Sequence, residues 1–174
     1  MKKIYLTALL STALLSTKAQ QLIKQKDQFT GKEIKGAVIN MGKIFAATGM
    51  TMGFGVINQK TYVYFTWPNP SGNFGAFNTM KVTDMALLFK LDDNSILKFK
   101  ADSATSKITN FGNTSILSIG SEITNAQLQT LSSHTISVIR VGFKDDAGLD
   151  LEDKALFTDK NRDQVKKAAA FMIE

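Results

Sequence analysis

The chain contains no cysteine, one histidine, one tryptophan and two prolines among its 174 residues. Each scarcity removes a class of architecture or chemistry. Without thiols there is no disulfide framework, no thiolate nucleophile and no histidine–thiolate zinc set. The lone histidine, His134, has no G-x-S-x-G elbow to serve, which speaks against a serine hydrolase. His134 follows a short helical stretch, where capping the helix end is its plainer role. Gly49, Gly53 and Gly55 match neither nucleotide-binding spacing, so no phosphate cradle is expected. On these grounds neither a cofactor nor a metal is expected.

Long hydrophobic runs are scarce as well. The longest, Ile4 to Leu15, is shorter than the roughly 20 residues that a membrane-spanning helix needs. It follows Lys2 and Lys3 and precedes Ser16-Thr17-Lys18-Ala19. That order reads as a secretory signal peptide over residues 1–19, cleaved after Ala19. No membrane span is expected elsewhere, and no cysteine follows the leader to take a lipid. The formal charge of +6 owes three lysines (Lys2, Lys3, Lys18) and no acids to the leader, so the exported chain carries +3. So mild and dispersed a charge does not suit nucleic-acid binding, which uses a clustered basic patch.

The remaining chain is long enough to bury roughly 68–70% of its unfolded surface in one core. Residues 20–31 are polar and read as a flexible lead-in; residues 32–174 read as a single α+β domain. Its strongest fold signal is Val82 to Ala101, two apolar runs around Asp92-Asp93-Asn94. A two-residue turn at Asp93-Asn94 would pair Leu87 with Lys100. A three-residue loop pairs Leu87 with Phe99 and Phe89 with Leu97, gathers an apolar face and turns Lys90, Lys98 and Lys100 outward. Asn94 suits the left-handed position that closes such a loop.

Further strands are expected at Lys32–Asn40, Thr51–Trp67 (a hairpin turning at Asn58-Gln59), Thr114–Ile119, Thr135–Phe143 and Leu149–Asp153. Trp67 to Gly72, with both prolines, reads as a turn, and Asp102 to Lys107 as a loop. Thr124 and Gln127 form a capping box, with Ile123 and Leu128 as its hydrophobic staple, ahead of a two-turn helix. A C-terminal helix capped by Thr158 or Asp159 carries a stripe of Val165, Ala168, Ala169, Met172 and Ile173. The expected fold is α+β: a curved antiparallel meander sheet with a short helix and a C-terminal helix packed on one face or end.

This layout resembles a group of small exported proteins of Bacteroidota-type bacteria without an assigned activity. The resemblance is carried by Asp27-Gln28-Phe29-Thr30-Gly31, the Leu87–Leu97 hairpin, and Ile123 to Val141 with its Ile139-Arg140-Val141 ending. It implies an envelope or secreted location and transfers no catalytic residue.

Candidate chemistry is thin. Asp145, Asp146, Asp150, Glu152 and Asp153 offer oxygens to Ca²⁺, but their spacing fits no EF-hand loop, and a polar turn explains them better. The aromatic group around Trp67 is more informative. Tyr62, Tyr64, Trp67, Asn69, Asn73 and Phe74 surround a proline–asparagine–glycine loop, where rings meet a ligand or partner. The alternative is that these rings fill the core beneath that loop. The expected function is an exported, non-catalytic binding module whose partner is an envelope protein, a glycan or an apolar ligand. An inhibitor of a secreted enzyme, inserting the Pro68–Asn73 loop, and a carboxylate-dependent hydrolase are the alternatives.

Overall fold

A computed structural model describes residues 20–29, 31–45, 48–69, 81–111, 114–142, 148–151 and 158–174. In chain order the strands are β1 (Gln20–Lys26), β2 (Glu33–Phe45), β3 (Thr48–Ile57), β4 (Lys60–Asn69), β5 (Ala86–Leu91) and β6 (Ile96–Lys100). They continue with β7 (Lys107–Phe111), β8 (Thr114–Glu122), β9 (Ile136–Gly142) and β10 (Gly148–Leu151). Helix α1 (Asn125–Ser133) lies between β8 and β9, and α2 (Asp159–Ile173) follows β10. The class is α+β, with antiparallel pairing throughout.

The strands form two sheets rather than one meander. A six-stranded sheet runs β1-β2-β3-β4-β8-β7, and a four-stranded sheet runs β10-β9-β5-β6. The meander stops after β4 because β5 pairs with β6 and β9 instead of returning to β4. β9, apolar on both faces apart from Arg140, takes an interior position in its sheet.

Turn chemistry fixes both principal hairpins. Leu87 lies opposite Phe99 and Phe89 opposite Leu97. The Leu91 N–H donates to the Ser95 carbonyl at 2.9 Å, closing a three-residue loop in which Asn94 has φ 67°. The β3–β4 turn has Asn58 at φ 50° and Gln59 at φ 68°, the two left-handed residues of a type I′ turn. β4 continues through the expected Trp67–Gly72 turn as far as Asn69. Pro68 is tolerated there because the β3–β4 ladder ends at Thr66, leaving only β8 beside it.

Residues 20–26, expected to be a flexible lead-in, form edge strand β1, paired along its length with β2. Backbone pairing with an open edge does not require an apolar side-chain pattern, and only half-buried positions result. The Gln20 side chain also donates to the Gln164 carbonyl at 3.1 Å, tying the strand to α2. β7 was likewise hidden in a polar stretch, Lys107–Phe111, and pairs with β8.

Side chains from both sheets and both helices meet in one hydrophobic cluster. Met52, Phe65 and Leu117 join from the larger sheet, Leu87, Phe89 and Phe99 from the smaller, and Leu128, Leu131, Val165 and Ala168 from the helices. The capping box on Thr124 and Gln127 starts α1 as expected, and Thr158 caps α2. The α2 stripe is buried except at Ile173, which is 38% exposed. Ile173 sits about 100° round the helix from Met172, off the buried line that Asn161 and Val165 extend towards the N-terminus. Among the described residues no helix is long and apolar enough to cross a membrane.

Candidate functional site

Strand parity divides the aromatic group. Val63, Phe65 and Trp67 point to the core, where Trp67 is half-buried against the cluster beside Leu117. Tyr62 and Tyr64 therefore project from the opposite face of the same strand. Asn69 ends β4, while Asn73 and Phe74, with most of the Pro68–Asn73 loop, lie outside the described residues. So the structure places Tyr62 with Tyr64 and sets Trp67 apart from both.

On that second face the registers assemble two cross-strand rows. One row is Ile23–Gly36–Gly55–Tyr62–Glu122, and the next is Gln21–Val38–Gly53–Tyr64–Gly120. Of the four glycines in these rows, Gly36, Gly53 and Gly55 leave the centre of the face without side chains of its own. A Cβ on Gly55 would meet the Tyr64 ring at 3.5 Å, so that ring covers the gap. A Cβ on Gly53 would lie 2.6 Å from the Ala37 carbonyl oxygen, so the close approach of β2 demands glycine there. The Tyr62 and Tyr64 rings stack with centroids 6.1 Å apart and planes at 27°. Tyr62 is half-buried and Tyr64 buried behind it. Beside Tyr62, Lys60 and Glu122 form an exposed ion pair at 2.7 Å.

The segment Asp102–Ser106 caps this face at β8. Ser106 Oγ accepts from the Gly120 N–H at 2.9 Å and lies 3.0 Å from its carbonyl, to which it donates. Burial pushes the Tyr64 hydroxyl above the ordinary phenol range, and the nearby Tyr62 and Asp102 add to the shift. Among the described residues that hydroxyl has no hydrogen-bond partner, nor do Gln21 Oε1 in the same row and Thr105 Oγ1 over Gly120.

A second constellation sits where the β5–β6 loop meets the α1–β9 junction. The Asp92 N–H donates to the Thr135 carbonyl at 3.0 Å. In return Asp92 Oδ2 accepts from the Thr135 N–H at 3.0 Å and from its hydroxyl at 2.7 Å. Asp92 Oδ1 lies 2.9 Å from His134 Nδ1. Asp93 Oδ1 accepts from the Ser95 N–H and hydroxyl at 2.9 and 2.6 Å, and Asp93 Oδ2 lies 3.8 Å from His134 Nε2. The Thr135 donors, then His134, hold the Asp92 carboxyl well below the usual carboxylate range; the Ser95 donors lower Asp93.

His134 is the C-cap of α1, its N–H bonding the Thr130 carbonyl, and its ring is additionally clasped by the two aspartates. Asp93 stands between Ser95 and the imidazole. A hydrolase needs the imidazole between serine and carboxylate, so this order does not activate Ser95. The acidic residues Asp145, Asp146, Glu152 and Asp153 lie outside the described residues.

No protein-family model, curated protein or solved structure matches this chain.

Proposed function

We propose that the protein is an exported, non-catalytic binding module of the bacterial cell envelope, and that its ligand is a glycan held on the tyrosine face of the larger sheet. The stacked Tyr62–Tyr64 pair carries this reading. A flat ring, braced from behind by a second, presents a π face to the C–H face of a sugar. The Lys60–Glu122 pair places a donor and an acceptor at its margin. Export is supported by the basic, apolar and small-residue order of residues 1–19. It is also supported by Gln20, the residue after Ala19, being tied into the sheet and to α2. The resemblance to exported Bacteroidota-type proteins points the same way.

The test is titration with peptidoglycan fragments and envelope polysaccharides, followed by backbone NMR shifts. Shifts centred on Gly53, Gly55 and Tyr62 that vanish in Tyr62→Ala are expected. Shifts elsewhere, or a Tyr62→Ala protein that binds unchanged, would remove this face from the reading. Binding only to lipids or to a protein would replace the glycan. Export is checked separately by the N-terminal sequence of the mature protein, expected to start at Gln20.

A further inference from the structure

Composition argued against a metal, because a single histidine and no thiol furnish no local ligand motif. The fold nonetheless brings one imidazole and two carboxylates together from segments 42 residues apart. One donor atom from each of Asp92, Asp93 and His134 lies within 4.8 Å of the others. Each carboxylate has one oxygen occupied by local donors, Thr135 for Asp92 and Ser95 for Asp93. The other oxygen of each is turned to the same ring, one at either ring nitrogen.

We propose that this clasp is a divalent transition-metal site, with Zn²⁺ the ion its donors suit. Nε2 of His134 and Oδ2 of Asp93 bind the metal, and water completes the coordination. Asp92 is the positioning residue. By accepting the Nδ1 proton it fixes the tautomer that leaves the Nε2 lone pair on the Asp93 side, as second-shell carboxylates do for metal-bound imidazoles. Two ligands at about 2.1 Å from a tetrahedral zinc are about 3.4 Å apart. The observed Nε2–Oδ2 distance of 3.8 Å therefore closes with a small rotation of the exposed Asp93 side chain. Imidazole with carboxylate oxygen suits zinc and its neighbours, whereas Ca²⁺ seeks six to eight oxygens that two aspartates do not furnish.

Zn²⁺ titration of the purified protein, read by calorimetry and by imidazole ¹H–¹⁵N correlation, decides the matter. One saturable site per chain is expected, with the Nε2 resonance shifted and the Nδ1 proton retained. His134→Ala and Asp93→Asn are each expected to weaken binding by about tenfold or more, and Ca²⁺ in excess is not expected to displace zinc. The wild-type imidazole spectrum needs no variant to fold. An unshifted Nε2 resonance up to millimolar zinc would overturn the proposal, leaving a simple charge clasp. Coordination through Nδ1, or zinc binding that survives His134→Ala unchanged, would overturn it equally.

Discussion

Asp92 links two turns that are distant in sequence, and its carboxylate does so only while ionised. Because its folded pKa is depressed, the contribution to stability is complete above the unfolded value of about 3.9 and is lost as pH falls through the folded value. Asp93 acts in the same sense. The melting temperature is therefore expected to fall as pH is lowered below about 4. Asp92→Asn should start lower at neutral pH and decline less steeply with acid. Parallel declines in the two proteins would show that other carboxylates govern the acid limb. Gly53 provides a second test at this scale. A methyl group there meets backbone oxygen, which cannot rotate away, so Gly53→Ala should cost about 1–3 kcal/mol by overpacking. Chemical denaturation measures it, and an unchanged midpoint would mean β2 and β3 can separate without penalty.

Among the elements, the β5–β6 hairpin is where sequence and structure agree most closely. Its parity had one apolar solution, and Asn94 supplied the left-handed residue that solution needs. Phe89 is fully buried with its ring centroid 5.2 Å from that of Phe99. Phe89→Ala should cost about 3–5 kcal/mol, and Phe89→Lys should leave the chain unfolded by circular dichroism. A lysine variant melting near wild type would contradict the register. The β3–β4 turn can be improved: Gln59 at positive φ should yield about 1 kcal/mol on replacement by glycine.

Elements set by strong local patterns were legible: the capping box, the α2 stripe up to Met172, and the hairpin alternations. β1 and β7 were not, since edge pairing depends on a neighbour's unpaired backbone and leaves no apolar signature. The tyrosine pair was legible as aromatic content, but only alternation along β4 separates it from Trp67. The Asp92–His134 contact has no sequence signature at all. It arises from the β5–β9 register, which sets Leu91 opposite Ile136 and so brings the preceding turn to the following loop.

At the scale of the molecule, the two sheets share one hydrophobic cluster, and among the described residues neither has a private core. Unfolding should accordingly be a single cooperative event. Trp67 reports on the larger sheet and far-UV dichroism on both, so the two signals should give coincident transitions in urea. Separate midpoints would mean that the smaller sheet opens by itself.

The rim of the smaller sheet bears on how the protein is handled. Among the described residues β6 has a neighbour on one side only, and it carries Ile96, 61% exposed, followed by the exposed Lys98 and Lys100. Lysines on such a strand deter a further strand from adding, because each would bring its ammonium group against an incoming chain. Amine-reactive dyes, biotin esters and acylating crosslinkers neutralise that charge. Heavily labelled protein should self-associate through this rim, whereas a fluorophore placed through an engineered thiol on exposed Asp159 of α2 should leave it dispersed.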